Sequence, residues 1–184
     1  NGDEYYAACQ ANESFSVAQL TPSVVVSAND ILYGDNQTVV VTLANDATGN
    51  VNIIIDDGDS VVLNTTVDIV SGSASYFISG LSAGEYYVNA SYSGDAKYVA
   101  VSNSTSFAVS KVVPQVTVGY DIGSENVNII VHSTLDCNMS VQFANNAYSV
   151  AVHDGVGNVL VARPPAGDYV VVASFAGDEN HTNA

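Results

Sequence analysis

The run GEYYVNASYSGDAKYVAVSNSTSFAVSKVVP, residues 84–114, decides the fold. Two stretches rich in Val, Tyr, Ser and Thr, near 86–92 and 99–109, flank the turn signal Ser-Gly-Asp at 93–95. Such residues fit a pleated, half-buried surface, and a glycine-containing turn between them marks a hairpin. Both halves of the run recur. Residues 167–180, GDYVVVASFAGDEN, repeat the first half, with Gly167 and Gly177 each 83 residues after Gly84 and Gly94. Residues 1–22, NGDEYYAACQANESFSVAQLTP, repeat the second half. Gly2, Asp3, Tyr6, Phe15, Val17 and Pro22 stand 92 residues before Gly94, Asp95, Tyr98, Phe107, Val109 and Pro114.

Outward from this run the repetition continues. QTVVVTLANDATGNVNIII at 37–55 matches ENVNIIVHSTLDCNMSVQF at 125–143 at a spacing of 88. Repetition on this scale means repeated modules, the second shorter than the first. In the first copy strands are expected near 23–28, 37–44, 51–56, 60–69, 73–79, 86–92 and 99–109. Alternation is plain where Val39, Val41 and Leu43 point one way and Val40, Thr42 and Ala44 the other. Turn signals lie at TGN 48–50, DDGD 56–59, SGS 71–73 and SAG 82–84. About seven short strands in about 90 residues describe an immunoglobulin-like sandwich. The expected fold is all-β: two tandem immunoglobulin-like β-sandwiches, the second lacking its last strand, plus an N-terminal donor strand. The expected divisions are 1–20 for the donor strand, 21–112 for the complete sandwich and 113–184 for the incomplete one.

Charge narrows the partners. Nineteen acidic residues face three basic ones, Lys97, Lys111 and Arg163, for a net charge of −16. Phosphate neutralisation needs the opposite balance, so nucleic acid is excluded, and anionic lipid with it. No apolar run approaches the ~18–20 residues of a membrane-spanning helix.

The pattern LSAGEYYVNASYSGDAKY at 81–98, closing in SFAVSK at 106–111, with DATGNVN at 46–52, resembles the bacterial-type immunoglobulin-like repeats of archaeal adhesin-like surface proteins. The resemblance covers essentially the whole chain. It implies an extracellular or cell-surface location and a structural role rather than an enzymatic one. It is silent on the partner, because such modules serve as spacers, fibre subunits and adhesins alike.

The frame itself resembles that of donor-strand-complemented pilus subunits. The chain opens on a last-strand sequence and closes where a last strand is due. A sandwich without that strand exposes an apolar groove and an unpaired edge. Strand addition from another copy fills it, and a head-to-tail contact that does not close generates open filaments. The expected function is thus a subunit of an extracellular, archaeal-type filament whose main partner is itself. The alternative is a segment of a long tandem-repeat surface adhesin or stalk, with other cell surfaces or glycans as partners. The tail residues that carry the donor reading are Tyr6, Cys9, Phe15 and Val17, whose counterparts in the complete repeat are expected to face its core.

Cys9 aligns with Val101 at the start of the last strand, and Cys137 with Gly49 in the turn between the second and third strands. Both positions belong to one end of such a sandwich, so an inter-subunit Cys9–Cys137 disulfide is expected to lock the donor strand in an oxidising exterior. The alternative is two unrelated thiols packed as small hydrophobes. Asn-x-Ser/Thr sequons at Asn12, Asn36, Asn64, Asn89, Asn103, Asn138 and Asn180 suit N-linked glycans on a surface protein, although a chain rich in Asn, Ser and Thr produces several by chance. Asn89 falls mid-strand and must face outwards to be modified.

Asp56, Asp57 and Asp59 form a weak calcium candidate; the same DDGD is a good hairpin turn, and turn is the preferred reading. Cofactors are otherwise expected to be none. His132, His153 and His181 have no metal-ligand spacing, and no nucleophile elbow is present. Catalytic residues are none on this reading. A Lys–Asn isopeptide bond would have to draw on Lys97 or Lys111. The tyrosines suit either a sugar-binding row or, more simply, core and edge positions with the hydroxyl in water.

Overall fold

The computed structural model describes residues 4–7 and 9–184; the Gly2–Asp3 pair lies outside the described residues. All regular elements among them are strands, fourteen in number. In the first half, β1 (Val25–Ser27), β3 (Gln37–Thr42) and β6 (Ser73–Ile78) form a sheet in the order β1-β3-β6. Facing it is a five-stranded sheet of β2 (Ile31–Leu32), β8 (Val101–Ser110), β7 (Gly84–Tyr92), β4 (Asn50–Asp56) and β5 (Val61–Asp68), in the order β2-β8-β7-β4-β5. Only the β2–β8 pair is parallel in these two sheets.

Period-two alternation builds the core between them. Val39 and Val41 from one sheet meet Val51, Ile53 and Ile55 from the other, joined by Tyr86, Val88, Ala90, Tyr92, Phe107 and Val109, all buried. Full burial of one such aliphatic or aromatic side chain is worth about 1.5–3 kcal/mol. The strand expected at 23–28 is β1, and a further short strand, β2, follows it outside those bounds. β1 pairs with β3, then the chain crosses and β2 pairs with β8. Buried Gln37 fixes the crossing by donating from Nε2 to the Asn29 carbonyl (2.6 Å), and Asp30 Oδ1 accepts the Ala108 N–H (2.8 Å).

The second half repeats the plan with six strands where the first has eight, counterparts of β2 and β8 being absent among the described residues. β9 (Val116–Ile122), β10 (Asn126–Ser133) and β13 (Val156–Ala162) form a sheet in the order β13-β10-β9. β11 (Asn138–Phe143), β12 (Asn146–Ala151) and β14 (Val171–Ser174) form its partner in the order β12-β11-β14. Between them lies a separate core of Val127, Ile129, Val131, Met139, Val141, Phe143, Val150, Val152, Val161 and Phe175. Among the described residues nothing in this sheet corresponds to β8. β14 therefore pairs with β11 on one side only. Where β7 runs nine residues between two neighbours, β14 runs four.

Candidate functional site

The repeated Gly-Asp turn is built by its own chemistry. Gly94 has φ +85°, and a Cβ there would lie 2.6 Å from the Tyr98 carbonyl, so only glycine fits. The Asp95 carboxylate accepts N–H groups from Thr48, Lys97 and Tyr98 together with the Thr48 hydroxyl. Those donors, the Thr48 N–H foremost, hold it well below the ordinary carboxylate range. The second sandwich copies this with Gly177 (φ +89°) and Asp178, whose carboxylate accepts the Asn180 and His181 N–H groups and contacts the His181 ring (Nδ1–Oδ1 2.9 Å). Partial burial opposes ionisation of Asp178, yet these donors keep it below its usual range.

Each turn grips the segment that enters its sandwich. Leu20 pairs in parallel with Tyr98: Leu20 N–H reaches the Lys97 carbonyl (2.9 Å) and Val99 N–H the Leu20 carbonyl (3.0 Å). Val112 pairs in parallel with His181 through the same two bonds, to the Asn180 carbonyl (3.1 Å) and from Thr182 N–H (3.0 Å). A long side chain reinforces each grip. Gln19 Nε2 donates to the Asp95 carbonyl (2.5 Å) and Lys111 Nζ to that of Asp178 (2.6 Å). The inter-sandwich junction adds an Ala83 N–H to Asn180 Oδ1 bond (2.8 Å) and an edge-on contact between Tyr33 and His181 (5.3 Å). Pro22 and Pro114 are buried within these junctions. The passage between the sandwiches is a braced joint.

Among the described residues no strand flanks the other side of β14, and a groove lies open there. In the first sandwich β8 covers it: Phe107 pairs with Tyr86 and Val109 with Gly84. In the second, Val118, Tyr120 and Ile122 pair with Val131, Ile129 and Val127, so their side chains point to the core side of the sheet. They are exposed nonetheless, Tyr120 by 64% and Ile122 by 62%. Across the groove Tyr169 keeps the corner bond of its counterpart. Its hydroxyl donates to the Pro165 carbonyl (3.1 Å), as the Tyr86 hydroxyl does to that of Ser82 (2.9 Å). Tyr86 is buried at 5%, whereas Tyr169 stands 42% exposed beside a cavity of about 340 Å³. Sequence reasoning did not single out Val118, Tyr120 and Ile122, although the alternation of VTVGYDI carried the signal.

The N-terminal segment lies elsewhere. From Glu4 to Gln19 the described residues are exposed and form no strand. Phe15 is 89% and Val17 85% exposed, while their counterparts Phe107 and Val109 are 2% and 3%. The structure does not bring these residues to the groove within one chain. Of the four tail positions, two correspond to slots already filled in the second sandwich. The counterpart of Tyr6 there is His181, held by the junction. The counterpart of Cys9 is Ala184, which exchanges both backbone bonds with Phe175 (2.7 and 3.1 Å). The vacant slots correspond to residues 10–18.

Cys9 is an exposed free thiol and Cys137 a half-buried one. Burial, then the charges of Asp178 and Asp136, push the Cys137 thiol pKa up. Among the sequons, Asn12, Asn36, Asn64, Asn89, Asn103 and Asn138 are exposed, and Asn89 does face outwards from β7. Asn180 is half-buried in the junction. At Asp56–Asp59, Asp57 Oδ1 accepts the Asp59 and Ser60 N–H groups and Asp56 Oδ1 that of Gly58, so these carboxylates shape the turn. Lys97 Nζ pairs with Asp46, which also accepts the Tyr98 hydroxyl (2.7 Å).

Residues 24–113, the first sandwich, match the family described as Bacterial Ig-like domain (group 3). No curated protein matches the chain. Two solved structures with similar chains are the crystal structure of Dpr11 IG1 bound to DIP-gamma IG+IG2 and that of chicken CNTN1 FN1-FN3 domains. The first shares 10% identity, covers 84% of this chain and 96% of that one, and has a TM-score of 0.35. The second shares 12%, covers 85% and 59%, and has a TM-score of 0.29. The immunoglobulin-like assignment rests on the strand order and the family match, and such folds are typically non-enzymatic.

Proposed function

We propose that this chain is a structural subunit of an extracellular fibre, polymerising head to tail by strand donation from the N-terminal segment of one copy to the open edge of β14 in the next. The duplicated junction carries the reading. Leu20 meets Tyr98 through the same bonds by which Val112 meets His181. The segment before Leu20 thus approaches the first sandwich just as β8 approaches the second. A donated strand therefore joins copies through a joint of the kind already present within one copy, and a contact of that type extends without closing. The acidic surface keeps neighbouring fibres apart and soluble, and glycans on the exposed sequons would cover their flanks.

A second reading places the same modules in one long surface stalk or adhesin. Exposed Tyr87, beside Asn89, Ser104 and Ser106 on the outer face of the five-stranded sheet, offers the aromatic face and hydroxyls that suit a sugar partner. Electron microscopy of native material, with gels of the same sample, separates the two. Filaments that dissolve on boiling into a band near 19.1 kDa (before any glycan mass) mean separate subunits. A single very large band, unchanged by heat or reductant, means one continuous repeat chain and ends the donation reading.

A further inference from the structure

The cavity beside Tyr169 has a counterpart that is already occupied. In the first sandwich Phe107 fills it, stacked on Tyr86 with ring centroids 5.3 Å apart and planes 12° from parallel. In the second sandwich its walls include Tyr120, Ile122, Phe143, Tyr169 and Val171 together with Arg163 and Asp168, and Tyr169 leans on Phe143 instead (5.6 Å, 52°). Building on the donation reading, we propose that this cavity seats the Phe15 side chain of a second copy, with Val17 beside Gly167.

Three observations set that register. His181 and Ala184 hold the slots before residue 10, so a donated strand begins there. Leu20 is committed to its own Tyr98, which fixes where the strand must end. A slip of two residues would exchange the Phe15 ring in the cavity for the Glu13 or the Val17 side chain, each smaller than the Phe107 ring that fills the equivalent space in the first sandwich. The strand from Gln10 to Ala18 therefore runs along β14 with Phe15 opposite Tyr169, as Phe107 lies opposite Tyr86. Continuity with the Leu20 junction argues for this occupant over an unrelated apolar peptide.

Phe15 is exposed in the single chain, so its replacement leaves the fold intact. The test titrates the full chain by calorimetry with a synthetic peptide of residues 10–20, in wild-type, F15A and S14A forms. Binding of the wild-type and S14A peptides, with F15A weaker by roughly tenfold to a hundredfold, is the expected result. Equal binding by all three overturns the Phe15 seat while strand donation stands. No binding by any of the three overturns both. A benzophenone amino acid at position 15 of the full chain gives an independent check. Cross-links to segments 120–127 or 164–171 of another copy support the seat, and cross-links confined elsewhere refute it.

Discussion

Tyr86 and Phe107 lie ring on ring across β7 and β8, and this stacked pair closes the core of the first sandwich. Phe107 contributes a large buried surface there, and its removal leaves a void that the strands cannot collapse to fill. Phe107→Ala is expected to destabilise the first sandwich by about 3–5 kcal/mol. Phe15→Ala, made at the equivalent place in the tail, is expected to leave the unassembled chain unchanged. Urea unfolding followed by circular dichroism reads both. A shift caused by F15A in unassembled protein would mean that the tail packs on its own chain.

The joint between the sandwiches depends on Asn180. Its Oδ1 accepts the Ala83 N–H while its backbone carbonyl accepts that of Val112. One such side-chain bond is worth about 1 kcal/mol. Its loss in Asn180→Ala is expected to loosen the angle between the sandwiches without unfolding either. Small-angle X-ray scattering would then show a broader distance distribution for the variant. An unchanged profile would mean that the Val112–His181 pairing and the Tyr33–His181 contact hold the angle by themselves. Glycopeptide mass spectrometry provides a companion reading: the half-buried Asn180 sequon is expected to stay unmodified while exposed sequons carry sugar.

Asp95 makes the first Gly-Asp turn sensitive to acid. Its folded pKa lies below the ordinary 3.8, chiefly through the Thr48 N–H and then those of Lys97 and Tyr98. A carboxylate so depressed contributes stability above its unfolded pKa, and that contribution is lost as pH falls through the folded value. Wild-type protein is therefore expected to melt above Asp95→Asn at pH 7, with the gap narrowing from about pH 4 downwards. Melting temperatures from pH 7 to 2 test this. A gap that widens in acid would mean the turn is not held by the ionised form.

Most of the fold was legible because its signals are local. The alternation of Val39, Val41 and Leu43 and the Gly-Asp spacing are properties of a few adjacent residues. Their repetition also marked out a second module of the same kind. The crossing from β1 to β2 escaped notice because it depends on Gln37 reaching Asn29, a contact made only after folding. The same holds for the site. Phe15 and Val17 were identified by repeat position alone. The walls that face the groove, Tyr120 and Tyr169, became visible only once strand pairing showed which side of each sheet they occupy. Tyr6 shares its repeat position with Tyr98, and in the second sandwich that place is held by His181.

Strand geometry bears most sharply on the pairing of Cys9 with Cys137. In the first sandwich Val101, the counterpart of Cys9, pairs with Tyr92, and Tyr92 with Val51. Two strand spacings, about 9–10 Å, thus separate the last strand from the strand that Cys137 precedes. A disulfide needs Cα atoms within about 7 Å. The slot of Cys9 is also held by Ala184, and the raised pKa of Cys137 leaves little thiolate at neutral pH to react. Filaments are therefore expected to persist in reductant, and boiled non-reducing gels to show the same single band as reducing ones. A ladder of multiples that collapses under reductant would show instead that the donated strand leaves this register at its start and brings Cys9 over the end of the sandwich to Cys137.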